Sequence, residues 1–253
     1  MTPLSFAAFV FIAIFAAAHL GFRCQRLLPA RFTEDAVEAG VKSVLGMLSM
    51  LTAVVLGFVT GDAKNSFDDA TKIVTDTAVR LVSIDRALAD FGDEAAPIRG
   101  QLKRAAEGWI ARIQSSEGDA HADLRVVQRG EELEDFVETI RGLKSSNAGQ
   151  AKDQERAVDL ALGILHDRWV LKTERAASTP TVFLVVLLGW LTLEFFIFGL
   201  FATPSTPVVV ATFLGAIMVA SAFFLVLDLE GPMTGPMRIS TKPLERAVAI
   251  MGQ

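Results

Sequence analysis

Four segments of the 253-residue chain are apolar and almost free of charge, and they lie as two pairs toward its two ends. Residues 4–22 and 43–61 contain no Asp, Glu, Lys or Arg, and residues 176–227 contain only Glu194. A helix needs about 20 mostly apolar residues to cross a bilayer. The last stretch is therefore long enough to cross twice, with a turn predicted at the proline-containing residues 203–207. The pattern predicts four membrane-spanning helices.

Between the two pairs, residues 62–179 hold most of the charge, and their apolar residues recur at helical spacing. Two rows with a seven-residue repeat predict a packed seam; they contain Phe67, Val74, Leu81 and Leu88, and Ala70, Thr77, Ile84 and Phe91. A second stripe contains Val158, Leu162, Leu165 and Trp169. Weaker helical patterns cover residues 97–114 and 123–143, and loop-type clusters lie at 92–94, 115–118 and 145–149. Core packing explains the stripes better than a cofactor site does.

The fold predicted from these patterns is all-α and polytopic, with four transmembrane helices in two pairs and a helical bundle inserted between the second and third. Residues 1–61 form the first transmembrane pair, and residues 62–179 form the extramembrane bundle. Residues 180–228 form the second transmembrane hairpin, and residues 229–253 form a C-terminal tail. The bundle is expected to be continuous with the second and third spans.

Composition and short motifs point away from catalysis and from nucleic acid. The net charge of −5 gives no basic footprint for nucleic acid, and the single cysteine, Cys24, excludes a disulfide within the chain. His19, His121 and His166 lie in different segments without a metal-ligand partner at helical spacing. No phosphate-binding glycine loop or nucleophile motif occurs. We therefore expect no catalytic residue, no metal, no cofactor and no enzymatic activity.

Glu194 is an acid near the middle of the third span, and Trp190 lies one turn before it on the same helix face. An acid inside a membrane is costly, and it usually faces a bundle interior or water. One interpretation places Glu194 on an ion or proton pathway. The other makes it a structural group that is satisfied by a hydroxyl or a backbone group on a neighbouring helix. The sequence favours neither interpretation over the other.

The second span mixes small, hydroxyl-bearing and flexible apolar residues. One stripe along it contains Ser43, Met47, Met50 and Val54. Such a stripe suits a narrow hydrophobic constriction that gates by dewetting. The alternative is a close-packing face between helices, which is favoured by the neighbouring small residues Gly46, Ser49 and Ala53.

The C-terminal third of the chain carries a family resemblance. The run Gly199-Leu200-Phe201-Ala202 is followed by Pro204, and an acidic stretch with Pro, Gly and Arg-Ile-Ser occupies residues 228–240. This order resembles the bacterial bestrophin-like membrane proteins, whose layout of two spans, a helical domain and two further spans also matches. The resemblance implies a multi-pass protein of the bacterial inner (plasma) membrane.

The second span is similar to that of bestrophins over residues 43–58 and the following Asn65-Ser66-Phe67. In that family this helix lines a pentameric anion pore, and bulky apolar residues one turn apart form its neck. By position, the resemblance implies pore-lining roles for Ser43, Met47 and Leu51. It also implies a homo-oligomer such as a pentamer, with the lipid bilayer and small inorganic ions as its partners.

The resemblance makes an oligomeric ion (anion) channel the first functional hypothesis. The alternative is a membrane-anchored helical interaction or sensory module without transport activity. Residues 59–62 stand where bestrophins carry a stretch rich in Arg and Trp, and no acidic cluster matches a calcium clasp. Anion selectivity and calcium gating therefore do not follow from the resemblance.

Positive charge beside the spans leaves the orientation nearly balanced. The loop between the first two spans contains Arg23, Arg26, Arg31 and Lys42. The other side contains Lys64, Lys172, Arg175, Arg238, Lys242 and Arg246. The bestrophin resemblance favours a cytoplasmic bundle and a cytoplasmic C-terminus.

Overall fold

The computed structural model describes residues 2–27, 29, 35–115, 131–176, 181–231 and 236–252. These residues form helices without a β-strand among them, which confirms the all-α prediction. The α-helices are α1 (Pro3–Cys24), α2 (Asp35–Phe91), α3 (Ala96–Ser115), α4 (Glu131–Arg141), α5 (Ala148–Ala176), α6 (Thr181–Phe201), α7 (Thr206–Glu230) and α8 (Lys242–Ile250). Short 3₁₀ turns at Gln25–Leu27 and Asp93–Ala95 follow α1 and α2.

Four of the described helices are long and apolar enough to cross a membrane, which is the number of candidate spans predicted from the sequence. They are Pro3–Leu27, Val37–Phe91, Val182–Phe201 and Thr206–Glu230. α2 contains 57 residues and is therefore about 85 Å long, far more than the roughly 30 Å of hydrocarbon in a bilayer. Its charge-free residues 43–61 continue without a break into a charged helix.

The chain divides into two compact units. The membrane unit comprises Met1–Asn65 and Thr179–Glu230, and the bundle unit comprises Ser66–Ser178 and Gly231–Gln253. Each unit is assembled from two separate stretches of sequence, and α2 begins in the membrane unit and ends in the bundle unit. The four-part division expected from the sequence stays a prediction.

In the membrane unit, α1 packs along both α6 and α7. Its closest approach is to α6, where a Cβ on Gly199 would overlap the carbonyl group of Ala18. A Cβ on Gly21 would lie 2.8 Å from the backbone nitrogen of Leu200. Glycine on both helices therefore lets the two backbones touch, which is a common way for membrane helices to pack.

Aromatic rings fill much of the contact between α1 and α7. Phe213 meets Phe11 and Phe15 edge-on, with ring centroids 5.4 and 5.7 Å apart. Phe223 meets Phe6 at 6.2 Å and is fully buried. Ring pairs at these separations contribute beyond the apolar area that they bury, so α1, α6 and α7 form a well-packed set.

The bundle unit encloses a hydrophobic core, and α2 contributes the predicted seam to it. Val74, Ile84, Leu88 and Phe91 are each at most 1% exposed. The first residue of the seam, Phe67, packs against the same core and is partly buried. The prediction that these rows form a core-packing face is confirmed.

The break predicted after α2 is present. Gly92 has a φ of +120°, a conformation that glycine adopts without a steric penalty. Side chains at the start of α5 then close two helix ends. The Gln150 amide donates to the Phe91 carbonyl at 2.8 Å, and the Gln154 amide donates to carbonyls in the last turn of α4 and just after it. These bonds satisfy carbonyl groups that have no partner within their own helices.

The stripe predicted on α5 is wrong by one position. The buried residues are Ala157, Ala161 and Ile164, whereas Leu162 and Trp169 are 39% and 57% exposed. Consecutive residues of a helix point about 100° apart, so the buried row lies beside the predicted one. The alanines let α5 approach the core closely, and the larger residues at 158 and 165 pack at its margin.

The C-terminal residues contribute to the core of the bundle unit. α8 packs against α3, and Leu244, Ala247 and Met251 are buried. Gln114 on α3 donates a hydrogen bond to the Glu245 carboxylate at 3.0 Å. The predicted tail therefore contains a helix that is docked on the bundle.

Candidate pore helix and its polar contacts

Within a single chain, one face of α2 in the membrane unit is exposed over its full length. The exposed row contains Ser43, Met47, Met50, Val54 and Phe58. Met47, Met50 and Phe58 are each at least 70% exposed. These residues have the spacing of a packing seam, but none of the elements that the structure describes covers them.

The opposite face of α2 is more enclosed. It contains Leu45, Ser49, Thr52, Leu56, Val59 and Ala63, at alternating spacings of four and three residues. Thr52, Val59 and Ala63 are buried, Leu45 and Leu56 are half-buried, and Ser49 is exposed. From Thr52 onward α2 therefore presents one exposed face and one face directed into the protein, whereas between residues 43 and 51 only Leu45 is partly covered.

The three pore-lining candidates lie on or beside the exposed row. Ser43 and Met47 belong to it, and Leu51, one turn after Met47, is 55% exposed. Met47 and Leu51 are each two residues from Ser49, so they point about 160° away from it. The structure brings the three candidates together on one face, and their role as pore residues stays a prediction.

A hydrogen bond joins the exposed Ser49 of α2 to the third span. The Ser49 hydroxyl donates to Oε1 of Glu194, which is half-buried on α6. Thr192, on the same helix, instead donates to the Leu188 carbonyl one turn earlier, at 2.7 Å. Trp190, the other candidate on this span, is 50% exposed. The structure therefore places Glu194 against α2 and leaves Trp190 on the surface.

An open apolar groove lies beside this hydrogen bond. Its volume is about 230 Å³, and it is lined by Gly40, Val41, Val44, Leu45, Leu48 and Ile197. Leu45 is one turn before Ser49, and Ile197 is three residues after Glu194. Apolar packing between α2 and α6 is thus incomplete next to the point where their polar groups meet.

The described part of the chain contains no assembled group of metal ligands. Among residues 2–27, 29, 35–115, 131–176, 181–231 and 236–252, no group of three or more His, Cys, Asp or Glu side chains could hold a metal ion. The His19 ring packs against Phe15 and Phe22, with centroids 4.2 and 5.7 Å apart. His166 is exposed on α5, and His121 lies outside the described residues.

A buried ion pair in the bundle unit has no counterpart in the sequence predictions. Arg99 donates two hydrogen bonds to the Asp85 carboxylate, at 2.8 and 3.0 Å, and the Asp85 side chain is only 3% exposed. The backbone N–H of Gly252 donates to the same carboxylate at 3.3 Å. Burial by itself raises the pKa of Asp85, but these hydrogen bonds and the Arg99 charge outweigh it and leave the pKa lowered.

A second polar contact of the bundle unit joins α2 to α5. Arg80 donates to the Asp167 carboxylate at 2.8 Å, and its guanidinium lies over Gly163, where an added Cβ would be 2.7 Å from it. A shallow groove of about 540 Å³ adjoins this pair. Its lining contains three basic and three acidic side chains: Arg80, Lys152, Arg156, Asp153, Glu155 and Asp159. The mixed charge gives the groove no preference for anions or cations.

Comparison with known families agrees with this architecture. The bestrophin-like domain matches residues 12–244, which is nearly the whole chain. The chain belongs to the bestrophin-like family. The resemblance inferred from the C-terminal third is thereby confirmed, and the apolar helices identify a membrane protein of this family. No curated protein and no solved structure matches the chain.

Proposed function

We propose that this protein is an oligomeric ion channel in which α2 of each copy lines a central pore. The observation that carries the proposal is the exposed face of α2. Its row of Met47, Met50 and Phe58 is apolar, lies in the membrane unit, and is left uncovered by the part of the chain that the structure describes. Membership of the bestrophin-like family supports this assignment.

Small residues of α2 support contact with further copies. An added Cβ on Gly46, Gly57 or Gly61 would meet nothing within 4 Å. Gly57 and Gly61 are four residues apart, a spacing that lets membrane helices approach closely. A closed ring of copies would place the same face of each α2 around one axis. Flexible apolar side chains such as Met47 and Leu51 then suit a constriction that dewets.

The test is ion flux through protein reconstituted in liposomes. We expect Met47→Ser and Leu51→Ser to raise halide flux above that of the parent, because a polar side chain wets a dewetted constriction. Met218→Ser is the matched control, since Met218 on α7 is 72% exposed and Met47 is 70% exposed. It changes the same residue type without touching α2, so it should leave flux unchanged.

Two outcomes contradict the channel. The first is background flux from the parent and all three variants while their assembly is intact. The second is a monomer, or a closed dimer without a central axis lined by α2, when the mass of the protein is measured in detergent and in lipid. Proton flux and halide flux are both measured, because the proposal does not specify which ion the channel conducts.

The second candidate is a membrane-anchored interaction module, and one observation favours it. Leu162 and Trp169 lie seven residues apart on the same face of α5 and are exposed in the bundle unit. Exposed large apolar side chains on one face are typical of a protein-binding surface. If Leu162→Ser and Trp169→Ser abolish capture of a partner and the parent gives no flux, this candidate replaces the channel.

The location proposed is the bacterial inner membrane, with the bundle unit and the C-terminus in the cytoplasm. Ser146 is exposed between α4 and α5, and the chain has one cysteine, Cys24. In a Cys24→Ser background, Ser146→Cys should resist an impermeant thiol reagent in intact cells and react after lysis. Modification in intact cells reverses the topology.

A further inference from the structure

We propose that Glu194 is a positioning residue that holds α2 in its orientation by accepting the Ser49 hydroxyl. This inference rests on the proposed channel function, because it concerns the helix that would line the pore. It assigns Glu194 a mechanical role, in which its acceptor oxygen matters and its charge on an ion pathway does not.

The first support is the direction of the contact. Ser49 is exposed, but it lies on the same face of α2 as the half-buried Leu45 and the buried Thr52, and Glu194 lies on α6 of the same unit. Met47 and Leu51 point about 160° away from Ser49. A bond that holds Ser49 against α6 therefore holds Met47 and Leu51 on the exposed face. Rotating α2 by one residue, about 100°, would remove Ser49 from Glu194 and turn the exposed face aside.

The second support is the sparse packing of α2. In its most apolar window, 11% of the residues are buried, against 28% in α1 and in α6. The groove lined in part by Leu45 and Ile197 adds empty space beside the Ser49–Glu194 bond. Van der Waals packing is a main source of helix association in lipid. A single polar contact therefore has more influence on α2 than it would have on α1.

The third support is the chemistry of the pair. A membrane helix gains about 1 kcal/mol from an interhelical hydrogen bond, which is about a fivefold change in a two-state population. The carboxylate oxygen of Glu194 and the amide oxygen of a glutamine both accept a hydroxyl proton. Threonine likewise keeps the hydroxyl that Ser49 donates. The pair thus offers variants that remove the bond and variants that retain it.

The experiment compares Ser49→Ala and Glu194→Leu, which remove the bond, with Ser49→Thr and Glu194→Gln, which retain it. Thr192→Val is the control, because the Thr192 hydroxyl bonds within its own helix. The first readout is the α2–α6 distance between spin labels at Val54→Cys and Leu193→Cys, in a Cys24→Ser background diluted with unlabelled protein. Both label sites are exposed. The second readout is halide flux without labels.

We expect Ser49→Ala and Glu194→Leu to shift the distribution of α2–α6 distances. The fraction of molecules at the distance seen in the parent, relative to the rest, should fall about fivefold. The double variant Ser49→Ala with Glu194→Leu should shift the distances no further than either single variant does. Halide flux should change in these same variants. Ser49→Thr, Glu194→Gln and Thr192→Val should behave as the parent does. Rescue by the two conservative variants separates a positioning role from general loss of folding.

Two results overturn the inference. If Glu194→Gln changes flux or its pH dependence as much as Glu194→Leu does, while Ser49→Ala changes neither, the carboxylate acts through its charge. If the distance distribution is the same in all variants, the bond does not position α2. Background flux from the parent, with distances that shift as expected, overturns the channel and leaves the contact supported. A conducting parent with unmoved distances overturns the positioning role alone.

Discussion

Residues 43–61 and residues 67–91 of α2 carry apolar rows of similar spacing, but the two rows meet different surroundings. In the first segment Met47, Met50 and Phe58 are at least 70% exposed, whereas in the second Val74 and Leu88 are at most 1% exposed. The charged residues that begin at Asp62 distinguish the two segments in the sequence. In water an apolar row must be buried by its own chain. In lipid an apolar row can stay uncovered by its own chain, and it then remains available for contact with other helices.

The polar contacts of the two segments also differ, with fewer in the first segment than in the second. Ser49 in the first segment meets Glu194 through one hydroxyl, whereas Asp85 in the second is buried and held by three hydrogen bonds. The first segment is thus joined to its unit by few contacts, and the second is built into a core. Mutations along one helix should therefore have very different effects on stability.

The largest effect is expected at Asp85. Asp85→Ala leaves Arg99 without its carboxylate in a largely buried site, and breaking a buried pair in this way costs about 3–5 kcal/mol of unfolding free energy. The control is Glu138→Ala, whose ion pair with Arg141 is at least half exposed on both sides and should contribute at most about 1 kcal/mol. Denaturant unfolding in detergent, followed by tryptophan fluorescence, measures both. Equal losses would show that the Asp85 pair is not a core contact.

The next comparison makes the same substitution in both segments. Leu88→Ala empties a fully buried position and should lower the unfolding free energy by about 2–5 kcal/mol. Leu51→Ala removes the same atoms from a side chain that is 55% exposed, and should change stability by about 0.5 kcal/mol or less. The unfolding assay used for Asp85 applies. A large loss for Leu51→Ala in the monomer would contradict the exposed assignment of the first segment.

A smaller difference is expected between glycines that face inward and outward. Gly199→Ala places a Cβ against the Ala18 carbonyl of α1, and such overpacking costs about 1–3 kcal/mol. Gly61→Ala on α2 meets open space, so the better helix propensity of alanine should raise stability by up to about 1 kcal/mol. Thermal unfolding of the monomer in detergent shows whether each variant is more or less stable than the parent. If both variants lose stability equally, the outward glycine has a partner within the chain.

Much of this fold follows from the sequence, because membrane spans and heptad seams depend on composition and spacing. The α2 seam, from Phe67 to Phe91, is recognisable because its mainly apolar rows repeat over about seven turns. The stripe on α5 failed for a related reason. Ala157 and Ala161 are apolar but small, so a pattern based on bulk selects the adjacent row with Leu162 and Trp169.

The contacts that define the candidate site could not be predicted, because they join residues that are distant in sequence. Ser49 and Glu194 are 145 positions apart, and only the packing of α2 against α6 makes them neighbours. The C-terminal helix, in contrast, could have been predicted from the sequence. Leu244, Ala247 and Met251 have the spacing of one helix face, and that spacing distinguishes a packed helix from a tail.

The smallest expected effect is the response of the Asp85 contact in the second segment to acid. Because the pKa of Asp85 is lowered in the folded protein, its contribution to stability is complete above the pKa of an unfolded aspartate, about 3.9. The contribution is lost as the pH falls through the lowered folded value. The stability difference between the parent and Asp85→Asn should therefore be constant from about pH 5 to 7 and shrink below about pH 4. Glu138→Gln should give a small difference throughout, and a parent–Asp85→Asn difference that grows in acid would contradict the assigned contacts.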